Sequence, residues 1–587
     1  MAGAGSSGSG SDEVLEAEIA EAVVPIDESD AVIIESEIRD RRQLNALTGT
    51  SVAICIVLIF LSATIGEFAA NNDGGDAAVG DGKHALFEWD EPRYMPRAEV
   101  CIDENNGQDP GYEGYGIGYE PSLAIDSNGN MFITAHKDLR WGGEESPPPI
   151  SLFLGSDAGF WYACTTDRDA FDPNSGDVQT SWDYWASWFW ISTDNGSTWG
   201  PGGEFDPTPG SSVTANYLAG ASECLGDEGD IAVDMNDRVY YLDTTLEDNW
   251  WHVFSDGGET YDGGACQRMN TMAADDRPWV AAQGDGIVHY LGNSGAPPPE
   301  CTGDSGRYWY YHSENGGNSF SQCYAVPGGW STIASQRNGS YVHIAQENAD
   351  SSSGHVQVRT SAEYGRGTGI SDGTWTGPVD VGPRNGNCPE GYPVVNLNEK
   401  GTVAVIWADC PEGGIGPWDM WFAVSYDNGT NWSSWEVTPI ERGISMYPFV
   451  SISEDDLISI AFYGLDFEDG GLEGDYVAGE SWYLYAAATF HPCPAVDEEG
   501  PFLPGCQAQP ANDSWQFAIA DPTPLHNVTG AEESNGDVHA LHDFFETVLS
   551  PDGDWIGIAY QQNVGEHPFE EGEEQRYIKF VRGNLSL

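Results

Sequence analysis

STDNGSTW at Ser192 to Trp199 returns as SENGGNSF at Ser313 to Phe320, as SYDNGTNW at Ser425 to Trp432 and, with Phe in place of the first Ser, as FSDGGETY at Phe254 to Tyr261. In each copy a strand runs in, Asp or Asn with Gly makes the turn, and a hydroxyl and an aromatic close it. An Asx side chain bonds the backbone of a tight turn, Gly takes the positive φ, and the aromatic pins the hairpin to its sheet. One copy is weak; four in one chain specify a repeat architecture.

A second repeat precedes these by a few tens of residues. Short apolar strands approached by an acid or an aromatic, usually with Pro or Gly, are YEPSLAID (119–126), DEGDIAVD (227–234), DDRPWVAA (275–282), GGWSTIAS (328–335), EGYPVVNL (390–397), SMYPFVSI (445–452) and HDFFETVL (542–549). Most lead through a turn into a second strand, as in 126–135, 234–242, 398–407 and 551–560. Strand, turn, strand, loop and a strand into the hairpin make about four strands per unit, which is how a propeller blade is built. Seven starts favour seven blades. Six or eight stay open, because the intervals after Glu120 and after Tyr447 are stretched. No long helical periodicity follows residue 66, which disfavours an α/β barrel.

The four hairpins resemble the Asp-box, or bacterial neuraminidase repeat, of the sialidase-like propeller superfamily, over roughly residues 94–587. That resemblance implies structural hairpins on the blade periphery, in a fold shared by sialidases, other glycosidases, sorting receptors and silent binding proteins, so the reaction has to be argued from the site. For a sialidase it implies an arginine triad for the substrate carboxylate, an Arg-x-Pro motif near the first blade, an acid/base Asp and a Tyr/Glu nucleophile pair. Pro92-Arg93-Tyr94-Met95-Pro96-Arg97 departs from that motif, and no catalytic residue carries over.

Charge and hydropathy place the chain. Its 587 residues carry 94 Asp and Glu against 22 Lys and Arg, a formal net charge of -72. Only Lys83, Lys137, Lys400 and Lys579 are lysines, which excludes nucleic acid as a partner, since phosphate backbones need clustered cations. With 22 Trp, 26 Tyr and 22 Phe the chain has far more buriable surface than a disordered acidic chain. Residues 1–38 hold ten acids and no base; Arg39, Arg41 and Arg42 follow, and then the uncharged run Thr48 to Gly66. Nineteen uncharged residues span a bilayer, and arginines on the N-terminal side put the tail in the cytoplasm and the rest outside. The expected organisation is a disordered acidic tail (1–43), a transmembrane signal anchor (44–66), a linker (67–93) and an extracytoplasmic all-β propeller of Asp-box blades (94–587) in the cell membrane, single-pass type II. Ten of eleven cysteines lie beyond the anchor, as suits disulfides; neighbour pairing favours Cys301 with Cys323, Cys388 with Cys410 and Cys493 with Cys506. Seven N-x-S/T sequons (Asn195, Asn338, Asn428, Asn431, Asn512, Asn527, Asn584) are compatible with surface loops.

In a propeller the residues just before each innermost strand converge on one channel mouth. Here they are Tyr119, Glu120, Asp230, Asp276, Arg277, Glu390, Tyr392, Tyr447, His542 and Asp543. Carboxylates from several blades repel unless a cation or a basic ligand lies between them or some stay protonated, so Ca²⁺ is the candidate cofactor of this mouth, beside the alternative of none. The competing reading is that an acid-rich chain puts acids before strands as turn formers. Trp182 and Trp185 are candidates for a carbohydrate platform, whereas Trp188, Trp190 and Trp199 suit packing between blades. The expected function is a surface propeller binding a glycan or a protein outside the cell. The alternatives are a glycoside hydrolase with a carboxylate pair at the mouth, and a structural surface-layer protein.

Overall fold

The structure, a computed structural model, describes residues 86–95, 118–135, 188–199, 228–244, 249–258, 260–262, 275–294, 301, 308–320, 322–348, 354–384, 392–409, 418–437, 443–466, 481–490, 492, 515–527, 541, 545–566 and 574–586. Clustering divides the chain into residues 1–79 and 80–587, and every described residue belongs to the second unit. The expected tail, the anchor and the linker up to residue 85 lie outside the described residues. Among the described residues no helix is long and apolar enough to cross a membrane.

Seven antiparallel sheets follow one another along the chain. Blade 1 is Ser122–Ile125, Met131–Ala135 and Trp188–Ser192, and blade 2 is Glu228–Val233, Val239–Thr244, Asn249–Ser255 and Thr260–Tyr261. Blade 3 is Asp275–Gln283, Ile287–Ser294, Tyr308–Ser313 and Gln322–Val326; blade 4 is Ser331–Ser335, Val342–Glu347, His355–Ser361 and Trp375–Pro383. Blade 5 is Val394–Leu397, Val403–Asp409, Asp419–Ser425 and Ser433–Val437; blade 6 is Gly443–Ile452, Ile458–Asp466, Ser481–Thr489 and Ala518–Asn527. Blade 7 takes Glu546–Leu549, Trp555–Glu566 and Glu574–Ser586 from late in the chain, and Leu86–Trp89 with Arg93–Tyr94 completes it by pairing with Glu574–Ser586. The first strand of every blade packs against the first strand of the next, and Glu546–Leu549 packs against Ser122–Ile125. The ring is therefore closed, and the seven strands expected to be innermost are innermost. Faces stacked on both sides explain why a middle strand such as Val403–Asp409 is buried throughout and reads as a continuous apolar run.

The hairpin copies fold alike. In blade 1, Asp194 accepts the Thr198 N–H at 2.7 Å and the Thr198 hydroxyl at 2.7 Å, while Ser192 Oγ accepts the Gly196 N–H at 2.8 Å. Asp427 accepts the Asn431 N–H at 2.8 Å, Ser425 Oγ accepts the Gly429 N–H at 2.9 Å, and Asn315 with Ser313 repeats the pattern in blade 3. Blade 4 holds a degenerate copy missed in the sequence, Ser361 to Thr368, where Ser361 Oγ accepts the Gly365 N–H at 3.1 Å. A Cβ built on the hairpin glycine meets the preceding blade in each case: Gly196 meets Phe580, Gly258 meets Phe132, Gly317 meets Trp251, Gly365 meets Tyr310 and Gly429 meets His343. The hairpins thus set the blade-to-blade seam.

Trp199 packs on Phe580 with ring centroids 5.0 Å apart, and Trp190 is buried, as expected of inter-blade packing. Cys301 and Cys323 form the expected disulfide; Cys388, Cys410, Cys493 and Cys506 lie outside the described residues.

Candidate functional site

Each innermost strand ends in a polar residue that opens a turn: Asp126, Asp234, Gln283, Gln336, Asn398, Ser453 and Ser550. Counting back six residues gives the same position in five blades with described side chains: Glu120, Arg277, Trp330, Tyr392 and Tyr447. Of these, Glu120, Arg277 and Tyr447 each precede a proline and have positive φ of 51°, 55° and 50°. A bulge follows Asp276 and again Met446, so the chain kinks as it passes from the mouth into the sheet. Non-glycine residues held in the left-handed region store strain, and such positions cluster at functional sites.

These side chains converge. Tyr392 lies within electrostatic reach of Arg277, Tyr447, Glu120 and Tyr308, and Tyr463 feels the charge of Glu120. The Arg277 guanidinium lies 4.6 Å from the Trp330 ring centroid, and Trp330 meets Tyr392 edge-on at 6.3 Å. Glu120, Tyr392 and Tyr447 are 8%, 2% and 2% exposed, while Arg277 and Trp330 are half-buried. Burial pushes the Tyr392 phenol well up, so it is a neutral hydrogen-bonding group, with the Arg277 charge pulling the other way. Gln561 Oε1 accepts the Glu120 N–H at 2.9 Å, and the Gln561 N–H donates to Tyr463 Oη at 3.4 Å. Tyr119 stands beside them under the Arg576 guanidinium, 5.9 Å from its ring centroid.

Beneath this polar layer the channel is plugged. Trp279 of blade 3 packs on Tyr392 at 5.5 Å and on Phe449 of blade 6 at 6.2 Å. Phe545 of blade 7 packs on Phe449 at 5.4 Å and stacks on Tyr463 at 4.4 Å. The mouth is thus a seat over an aromatic floor.

Asp230 serves differently. Its carboxylate accepts the Val280 N–H of blade 3 at 2.5 Å and its neighbour Ile231 N–H at 2.7 Å, and Glu546 accepts the Leu123 N–H of blade 1 at 2.6 Å. Thr332 Oγ1 likewise accepts the Val395 N–H of blade 5 at 3.1 Å. Innermost strands are sheet edges whose channel-side N–H groups lack a ladder partner, and these side chains supply one from the neighbouring blade. Burial raises the Asp230 carboxyl to about 7, despite the N–H groups that favour its ionised form. Burial and the nearby Asp230 charge hold Glu546 well above the carboxylate range.

The structure therefore brings together Glu120, Arg277, Tyr392 and Tyr447 with Tyr119 beside them, and commits Asp230 to an inter-blade clasp. The side chain of Asp276 and the residues Glu390, His542, Asp543, Trp182 and Trp185 lie outside what is described. Trp330 was missed, although the six-residue count back from Gln336 points to it. Among the described residues no group of three or more His, Cys, Asp and Glu is placed to hold a metal ion.

No family model matches the chain, and no curated protein matches it either. Among solved structures, a Dyadobacter fermentans protein of unknown function is similar over 85% of this chain and 99% of its own, at 12% identity and a TM-score of 0.36. A variant of the NanB sialidase from Streptococcus pneumoniae is similar over 83% of this chain and 71% of its own, at 8% identity and a TM-score of 0.31. An α-L-arabinanase of Penicillium chrysogenum, solved with arabinobiose, is similar over 51% of this chain and 92% of its own, at 13% identity and a TM-score of 0.27. The seven-bladed propeller rests on strand order and ring closure in this chain.

Proposed function

We propose that the protein is a surface Asp-box propeller, anchored by residues 48–66, that binds a glycan through the face on which its innermost strands begin. The observation that carries this reading is the convergence of Glu120, Arg277, Trp330, Tyr392 and Tyr447 from five blades, three of them in strained backbone. Phenols, one carboxylate and one guanidinium offer directional hydrogen bonds to sugar hydroxyls, and the aromatic faces suit C–H stacking. A protein ligand at the same face is the competing partner.

A second reading, glycoside hydrolysis, draws on the buried proton-holding carboxyls Asp230 and Glu546, which have the character of general acids. Against it, both carboxylates are spent on backbone N–H groups, and the Tyr392 phenol is held neutral.

The test is a glycan array and a fluorogenic glycoside panel with full-length protein in detergent, with and without Ca²⁺. Binding without turnover, lost by at least tenfold in Arg277→Ala and weakened in Tyr392→Phe, supports the binding reading; turnover supports hydrolysis. Silence in both formats, or wild-type binding by Arg277→Ala and Tyr392→Phe together, overturns the proposed site.

A further inference from the structure

The two turns at the end opposite the mouth, between first and second strands and between third and fourth strands, form one continuous face. Gly316 N–H donates to Gly286 O at 2.8 Å and Asn428 N–H to Gly401 O at 2.9 Å, each tying a hairpin to the neighbouring turn of its blade. Five sequon asparagines with described side chains all lie on that face. Asn195, Asn428 and Asn431 are in hairpins, Asn338 is in the first turn of blade 4, and Asn584 follows Gly583 beside the Asp554 turn, where Leu585 N–H donates to Asp554 O at 2.8 Å.

Their amides differ. Asn431 Nδ2 donates to Asp427 at 2.6 Å, and Asn584 Nδ2 donates to Asp90 at 3.2 Å and to Glu88 O at 3.4 Å. Asn428 is half-buried and its Oδ1 accepts from Gln336 Nε2 at 3.4 Å. Asn195 and Asn338 are exposed, and their polar contacts run through the backbone: Asn195 O accepts from Arg582 and the Asn338 N–H donates to Glu399 at 2.8 Å. The Asn195 amide lies over Gly129 of the neighbouring turn while the residue stays exposed, and the sequon hydroxyls Ser197 and Ser340 stand two residues on from each asparagine.

We propose that Asn195 and Asn338 are N-glycan acceptors and that the folded propeller carries sugar on the hairpin face. The donor is a lipid-phosphate-linked oligosaccharide. The bond from sugar C1 to phosphate oxygen breaks, a bond from C1 to the asparagine Nδ2 forms, the lipid phosphate leaves with the electron pair, and the amide gives up one proton. An amide already donating to a carboxylate, as in Asn431 and Asn584, has to break that bond first, so those sites are expected to stay unmodified. The inference rests on the outward placement of the propeller in the proposed function.

The experiment uses the full chain in membranes of its own organism, with two readouts: protease accessibility of the propeller on intact cells, and glycopeptide mass spectrometry of all five sites. The expected result is an accessible propeller with glycan on Asn195 and Asn338, and loss of one glycan mass in each of Ser197→Ala and Ser340→Ala, which leave the asparagines in place. An accessible propeller with bare Asn195 and Asn338, or with equal occupancy at Asn431 and Asn584, overturns the inference alone. A propeller shielded from protease overturns the topology and the inference with it.

Discussion

A methyl group at Gly196 would sit 2.3 Å from the Phe580 ring, whereas at Gly317 it would sit 3.3 Å from Trp251; both glycines have positive φ. The backbone cost of a non-glycine residue there is about 1–2 kcal/mol, and overpacking adds about 1–3 kcal/mol. Gly317→Ala is therefore expected to lose about 1–2 kcal/mol and Gly196→Ala about 2–5 kcal/mol, checked by urea unfolding; equal losses would remove the seam as the reason for these glycines. The same scale shows what the sequence discloses about the site. Glu120, Arg277, Tyr392 and Tyr447 were legible because a residue before an innermost strand has to face the mouth. Trp330 was not, because a lone tryptophan after two glycines looks like strand packing. Asp230 looked equivalent to Glu120, but it lies two residues further along the strand, where a side chain reaches the next blade instead of the mouth.

At the scale of a strand, the clasps from Asp230, Glu546 and Thr332 hold neighbouring edges together, and two of them are titratable. A carboxyl whose folded value is raised keeps its proton in the fold at a pH where the unfolded chain has released it. Its contribution is therefore fully present below the ordinary carboxylate value and is lost as pH rises toward about 7 for Asp230. Glu546→Gln keeps an acceptor for the Leu123 N–H and abolishes the penalty. It is expected to stabilise at pH 8 and to leave stability at pH 4 nearly unchanged, read by denaturant melts at both values. An equal effect at both pH values would mean that the proton plays no part. Buried His252 and His343 work in the opposite sense, because burial lowers each to about 3, so their contribution is lost as pH falls below 6.5. Among elements, four hairpins announced themselves through Asp or Asn, whereas the blade 4 copy stayed hidden because Glu363 has a side chain too long to close the tight turn.

The whole ring is a sum of local sheets closed at one seam, where the strands from Leu86 to Tyr94 complete a blade begun at Glu546. Asp90 accepts from Arg582 Nε at 2.9 Å, and buried Lys579 pairs with buried Asp521, which also accepts the Tyr560 hydroxyl at 2.6 Å. Blade number was readable because seven approach segments could be counted. The seam was not, because two short strands separated from the rest carry no repeat signature. Deleting residues 86–94 leaves the long strand Glu574–Ser586 as an open edge, and the expected outcome is loss of a single cooperative transition in calorimetry. An unchanged transition would show that the seam is dispensable. Asp90→Ala alone should cost only about 0.2–1 kcal/mol, since that ion pair is half-exposed.

Arg582 and Asp90 are 492 positions apart, yet they are partners in one sheet. During synthesis the early strand is an orphan until nearly all of the remaining propeller has been made, and its only proper mate is the last to arrive. Identical chains emerging side by side offer one another the same vacancy. The natural misassembly is thus a reciprocal loan, in which two molecules each lend a first strand to the other.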